Sequence, residues 1–96
     1  MKLEFHPEAI SELQFAAQYY EGCRSGLGER FIDAVEDAIR RISETPFAWR
    51  LLEHDVRRCL MRVFPYGVLY TVADESILIV AVGHCAREPG YWKTRF

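Results

Sequence analysis

The first half of the chain carries its apolar residues at helical spacing. A short extended segment, residues 2–6, places Leu3 and Phe5 on one face at period two. Pro7 then occupies a position where a first helical turn tolerates proline. An apolar stripe follows at steps of three and four: Ile10, Leu13, Ala17 and Tyr20. The pattern predicts an N-terminal strand and then a helix that ends near Cys23.

A second amphipathic stretch begins after a glycine-rich turn. Charged side chains fill one side of it, and the other side is apolar: Phe31, Val35, Ala38 and Ile42. The Thr45-Pro46 pair ends this stretch, because proline disfavours helical backbone at the residue before it. The two stretches together predict a helical hairpin.

The spacing of apolar residues then changes to strand periodicity. Residues 47–55 have the composition of a loop, whereas residues 56–63 alternate between two faces. Residues 66–73 are rich in β-forming side chains, and residues 77–82 are apolar on both faces, which is typical of a covered central strand. Short links join these three segments, so they predict a three-stranded antiparallel meander.

The order of these elements predicts an α+β fold in one domain that spans residues 1–96. The N-terminal strand and the meander form one twisted sheet, the helical hairpin packs on one face, and residues 91–96 form a short helical tail. A hydrophobic content of 50% is enough for one core in a chain of 96 residues. No second helical layer is available for the opposite face, so we expect the functional surface there.

The composition also predicts where the protein works. No apolar run approaches the roughly 18 residues of a membrane span, and the N-terminus lacks the apolar core of a signal peptide. The three widely spaced cysteines, Cys23, Cys59 and Cys85, do not suggest a disulfide framework. We therefore expect a cytoplasmic protein that does not associate with membranes.

The charge distribution favours a local site over bulk electrostatic binding. A net charge of −2 argues against non-specific binding to nucleic acid. Ten of the twelve basic residues are arginines, and the half of the chain after residue 48 carries a small excess of positive charge. Arginine suits bidentate contacts with carboxylate or phosphate groups, so an arginine-lined site is a candidate.

The most unusual stretch, residues 84–95, combines an imidazole, an arginine and an aromatic pair. His84, Arg87 and Tyr91, joined by Arg58 or Arg62 from a neighbouring strand, are residue types that support RNA cleavage. Histidine or tyrosine would move protons and arginine would neutralise phosphate charge. The same residues also fit a structural role, with backbone hydrogen bonds, an ion pair and aromatic rings that cap the core. The residue types alone leave both interpretations open.

No metal or cofactor is expected. His84 and Cys85 are neighbours on a strand and point to opposite faces, so they do not form a ligand set with Cys59. The apolar strand surroundings of the two cysteines do not favour a reactive thiolate. The glycines of the first half follow a helix, whereas a phosphate-binding loop follows a strand.

Two runs of residues resemble a known family. Residues 57–70 contain Arg58, Phe64-Pro65-Tyr66 and Tyr70, which resembles the R-x-x-x-x-x-F-P-Y-x-x-x-Y segment of the RelE/ParE superfamily of toxins from type II toxin–antitoxin modules. The later run of Val82, His84, Arg87, Pro89, Tyr91, Trp92 and Arg95 is similar to the ending of many ParE-like members. The resemblance spans nearly the whole chain and implies the fold derived above.

The resemblance implies one of two activities, because RelE-like members cut mRNA on the ribosome and ParE-like members poison DNA gyrase. RelE-like sequences carry catalytic arginines where this chain has Gly67 and Cys85, and residues 47–56 lack the lysines of RelE. The tyrosine that is proposed to transfer a proton in RelE-like sequences does have a match here, Tyr91. The departures favour the ParE-like branch and gyrase inhibition by protein–protein contact. The expected target-binding residues are Arg58, Arg62, His84, Arg87, Tyr91, Trp92 and Arg95.

Two alternatives stay open. In a ribosome-dependent mRNA endonuclease, His84 or Tyr91 would move protons and Arg58, Arg62 and Arg87 would hold phosphates. A degenerate toxin would retain only antitoxin binding.

The resemblance also implies a cognate antitoxin and a hetero-oligomer with it. We expect the antitoxin to cover an exposed apolar patch between the two helices, formed by Leu13, Ala17, Tyr20, Phe31 and Val35.

Overall fold

The computed structural model describes all 96 residues and consists of two helices, five strands and two single 3₁₀ turns. The helices are α1 (Pro7–Cys23) and α2 (Leu27–Glu44). The strands are β1 (Lys2–Phe5), β2 (Arg50–Leu51), β3 (Arg57–Leu60), β4 (Tyr66–Ala73) and β5 (Ser76–His84). The 3₁₀ turns cover Glu53–Asp55 and Lys93–Arg95.

All strands belong to one sheet in the order β1-β5-β4-β3-β2. β1 pairs with β5 in parallel, and the other neighbours are antiparallel. The predicted α+β fold, with its N-terminal strand, helical hairpin and meander, is confirmed. The sheet has five strands rather than the expected four, because the predicted loop at residues 47–55 contains β2. β2 was not predicted because a strand of two residues is too short to show an alternating pattern.

Local interactions begin and join the two helices. His6 caps α1, since its Nδ1 accepts a hydrogen bond of 3.1 Å from the Glu8 N–H. The carboxylate of Glu21 accepts from the backbone N–H groups of Gly26 and Gly28, which ties the end of α1 to the start of α2. These contacts hold the hairpin as one unit.

The hairpin covers one face of the sheet, which we call the helix face. Side chains from both layers meet there in the main core, including Ala9, Phe31, Val35, Ala38, Ile42, Cys59, Val68, Tyr70 and Ile79. The expectation of an exposed apolar patch between the helices is therefore wrong for Phe31 and Val35, and antitoxin binding by the five expected residues stays a prediction. Phe31 is 0% exposed and Val35 is 1% exposed. Leu13, Ala17 and Tyr20 are half-buried against the same core.

The opposite face of the sheet, which we call the second face, is not open along its whole length. The C-terminal segment, residues 85–96, folds back over it and places Trp92 among Val56, Leu69, Val80 and Ala81. Trp92 is only 4% exposed. The expectation that this face lacks a covering layer is therefore wrong for its central part, where an aromatic side chain of the tail takes the place of a helix.

Neither α1 nor α2 is long and apolar enough to cross a membrane.

Candidate functional site

The second face carries a cleft of about 330 Å³ between the segment that follows α2 and the C-terminal segment. We call it the arginine cleft. β3, β4 and β5 form its floor, and residues from β2 and from the tail form its walls. The lining includes Arg50, Arg58, Arg87, Leu52, Tyr91 and Trp92.

Two glycines lie opposite each other in the floor. Gly67 of β4 pairs with Gly83 of β5. A Cβ atom on Gly67 would lie 3.1 Å from the Cγ and Cδ atoms of Arg58, and one on Gly83 would overlap the Tyr91 hydroxyl. The missing side chains therefore let the Arg58 stem and the Tyr91 ring lie directly on the sheet.

Arg58 and Arg50 face each other across β3 and β2. Neither guanidinium is part of an ion pair or donates a hydrogen bond within the chain. The Nε of Arg58 is buried without a partner. Like charges directly opposite in a sheet are destabilising, so this pair favours an anionic ligand.

Glu12 of α1 fixes the C-terminal segment to the edge of the sheet. Its carboxylate accepts two hydrogen bonds of 2.8 Å from the Arg95 guanidinium, one from Arg87 and one of 3.1 Å from the Val82 N–H. Arg95 also donates to the Val80 carbonyl at 3.0 Å. β1 pairs only with residues 76–79 of β5, so these side chains satisfy the backbone groups of β5 beyond the end of β1.

The surroundings of Glu12 keep its carboxylate ionised in this contact. Burial alone would raise the pKa of Glu12, but the hydrogen bonds from Arg95 and from the Val82 N–H, with the charge of Arg95, hold it below its ordinary value. The Arg95 side chain is only 4% exposed. Its positive charge is therefore committed to the fold.

The Tyr91 ring lies against both arginines of this contact. The guanidinium carbon of Arg87 is 3.8 Å from the centroid of the Tyr91 ring, and that of Arg95 is 5.4 Å away. Burial raises the pKa of Tyr91 to about 12, with a further contribution from Glu12. The hydroxyl is therefore protonated at neutral pH.

The structure gathers only part of the predicted site. Arg58, Arg87 and Tyr91 line the arginine cleft together, and Trp92 lines it as a buried wall. His84 borders the cleft, but its ring packs edge-on against Tyr66 on the helix face, with centroids 5.2 Å apart.

Two predicted arginines lie elsewhere. β3 ends at Leu60, and Arg62 turns towards α2, where its guanidinium is 3.8 Å from the Asp37 carboxylate. Arg95 is buried in its contact with Glu12. The prediction that all seven side chains share one open face is therefore wrong, and their role in target binding stays a prediction.

Sequence reasoning missed Glu12 and Arg50. Glu12 lies on α1 between Ala9 and Ala16, which are both buried, and a carboxylate at such a position indicates a buried ion pair. Arg50 carried no comparable signal, because its position opposite Arg58 depends on a strand of only two residues.

Comparison with known proteins decides the family. Residues 3–89 match the family described as the ParE toxin of the type II toxin–antitoxin system parDE. The chain belongs to the ParE toxin family. It is 32% identical over 89 residues to Toxin ParE2 of two Mycobacterium tuberculosis strains, CDC 1551 and H37Rv, with 92% of this chain and 85% of each relative covered. The resemblance to RelE/ParE toxins is thus confirmed.

Solved structures show the same fold. A chain of the chromosomal ParDE system from P. aeruginosa matches with a TM-score of 0.68 and 20% identity, over 88% of this chain and 95% of that one. A mutant of the E. coli toxin RelE in the free state matches with a TM-score of 0.65 and 20% identity, over 98% of this chain and 90% of that one. The toxin therefore has the architecture that ParE and RelE proteins share.

Proposed function

We propose that this ParE-family toxin arrests growth by inhibiting DNA gyrase through a protein–protein contact centred on the arginine cleft. The observation that carries the proposal is the make-up of the cleft. It combines the unpartnered Arg58 guanidinium with Tyr91 and a buried Trp92. Tyrosine and arginine are among the residues that most often dominate the energy of protein interfaces, and the buried Trp92 forms the wall behind them.

The cleft is poorly equipped for acid–base chemistry, which supports contact over RNA cleavage. A general base works best with a pKa near the working pH and within hydrogen-bond reach of its substrate. Burial raises the pKa of Tyr91 to about 12, and the His84 ring packs on the helix face. The two positions that carry arginine in RelE-like sequences are Gly67, covered by Arg58, and Cys85.

A type II toxin implies an antitoxin partner. We expect the complex to be a hetero-oligomer in which the antitoxin covers the outer side of α1. Phe15 and Tyr19 are 76% and 61% exposed there, one helical turn apart. Large apolar side chains side by side on a surface are typical of an interaction site.

A paired assay tests the proposal. Purified toxin is added to a gyrase supercoiling reaction and, in parallel, to a translation reaction whose mRNA is mapped for cleavage. We expect loss of supercoiling with intact mRNA. The variant Arg58→Gln should need about tenfold more protein for the same inhibition, since it loses a charged anchor.

The matched control is Arg24→Gln, which removes an exposed arginine at the end of α1 that does not line the cleft. It should inhibit like the wild type. Cuts in phase with codons and unchanged supercoiling would instead support the mRNA endonuclease, and the absence of both effects would support a degenerate toxin.

A further inference from the structure

The arginine cleft holds two positive charges that the fold itself leaves without counter-ions. Arg40, Arg41, Arg87 and Arg95 each contact a carboxylate, and Arg57 donates to the carbonyls of the loop before β2. Arg50 and Arg58 have no such partner, although they are direct neighbours across two strands.

We propose that Arg58 and Arg50 bind the carboxylate of an acidic peptide segment from a partner protein. The inference rests on the proposed function and deepens it, since it names the chemistry by which the cleft recognises a protein. A carboxylate between the two guanidinium groups would give both arginines a counter-ion and would relieve the repulsion between them. Charge-assisted hydrogen bonds of this kind are shorter and about twice as strong as neutral ones.

The cleft has no acidic side chain free to fill this role. Glu53 is the one carboxylate in its lining, and its Oε2 lies 2.8 Å from the Lys93 ammonium. That ion pair links the two walls of the cleft, because Glu53 precedes β3 and Lys93 belongs to the tail. No side chain of the cleft lining is therefore left to act as a counter-ion for the two arginines.

The walls favour a peptide over a nucleic acid. Leu52, Leu69 and Trp92 line the cleft beside the arginines, and the glycine floor gives it depth. A glutamate or aspartate flanked by apolar side chains matches this combination. A nucleic acid backbone instead requires several free positive charges along its path, and the other two basic residues of the lining, Arg87 and Lys93, are paired with Glu12 and Glu53.

A peptide array tests the proposal with purified toxin alone. Octapeptides that place one glutamate or aspartate beside leucine, valine or phenylalanine are compared with copies that carry glutamine or asparagine at that position. An oligoribonucleotide of eight nucleotides is the nucleic acid probe. The strongest peptides are then titrated in solution by fluorescence anisotropy, and the Arg58 Nε–H signal is followed by NMR.

We expect acidic peptides to bind at least about tenfold more tightly than their amide copies, which corresponds to about 1.4 kcal/mol. Arg58→Gln should remove that preference and Arg50→Gln should weaken it, whereas Arg24→Gln should keep it. Binding should also shift the Arg58 Nε–H signal. Equal binding of acidic and amide peptides, an undiminished preference in Arg58→Gln, or tighter binding of the oligoribonucleotide would overturn the proposal.

The peptide array and the gyrase assay test the carboxylate site and the proposed target independently of each other. If acidic peptides bind through Arg58 but gyrase is not inhibited, the carboxylate site stands and the proposed target is wrong. If gyrase is inhibited but acidic peptides show no preference, the target stands and the carboxylate site is wrong.

Discussion

The contact between α1 and the C-terminal segment gives the sharpest test of what holds the candidate site together. Glu12→Gln removes the negative charge but keeps the size of the side chain. The carboxylate accepts four hydrogen bonds, and three of them come from arginines. Because the Arg95 side chain is only 4% exposed, it cannot recover its hydration when its partner becomes neutral.

The expected loss follows from this burial. Removing one partner of a buried ion pair costs about 3–5 kcal/mol. Partial exposure of Glu12 and Arg87 places the expected loss at the lower end, about 3 kcal/mol of the free energy of unfolding. For a domain of this size that corresponds to a decrease in Tm of roughly 12–24 °C. Thermal and urea unfolding, followed by circular dichroism at pH 7, measure both quantities.

The matched control is Glu8→Gln on the same helix. The Glu8 carboxylate lies 3.5 Å from Nε of the same Arg95, but its side chain is 63% exposed. Its replacement should lower the free energy of unfolding by less than about 1 kcal/mol. If Glu12→Gln destabilises the protein no more than Glu8→Gln does, the tail is not held by this contact and the reasoning is refuted.

The pH dependence gives a second measurement of the same contact. The folded pKa of Glu12 is lowered from its ordinary value of 4.5. A carboxylate of this kind contributes its full stability above the unfolded pKa and loses it as the pH falls through the folded value. The difference in stability between the wild type and Glu12→Gln should therefore shrink below about pH 4.5. A constant difference across that range would contradict the lowered pKa.

Three further predictions concern the floor, the core and the outer side of α1. Gly83→Ala should displace the Tyr91 ring and lower the free energy of unfolding by about 1–3 kcal/mol, measured by urea unfolding. Gly22→Ala, where a Cβ meets open space, should not destabilise the protein. Burial raises the pKa of the Cys59 thiol. A thiol reagent at pH 8 should therefore modify the exposed Cys23 and Cys85 quickly and Cys59 only when the protein unfolds. Fast modification of all three cysteines would contradict this. Phe15→Glu should reduce antitoxin co-purification without changing Tm, and undiminished co-purification would move the antitoxin surface elsewhere.

Local patterns predicted the elements well, because each depends on residues close together in the chain. The helix that begins at Pro7 and the strand at residues 66–73 agree with α1 and β4. The strand expected at residues 56–63 ends early, at Leu60, and the backbone at Val63 is left-handed with φ of 74°. A β-branched residue rarely adopts that conformation, and the alternating pattern gave no sign of it. The predicted strand therefore extends past the point where β3 ends.

The candidate site was predicted less well, since it depends on which face each side chain occupies. Gly83 faces the arginine cleft, and strand alternation then places the neighbouring His84 ring on the helix face. Trp92 was expected on an open surface because no helix remained to cover it. The structure shows that the tail itself supplies the cover.

The sequence by itself determined the family, the α+β order of elements and the arginine-rich character of the second half, because motifs and periodicity are properties of neighbouring residues. Only the tertiary structure decided which charges are free. Glu12 and Arg95 are 83 positions apart and meet at the edge of β5, whereas Arg50 and Arg58 meet across two strands and find no counter-ion. Ion pairing depends on distance in space, and the spacing of residues along the chain does not carry that distance.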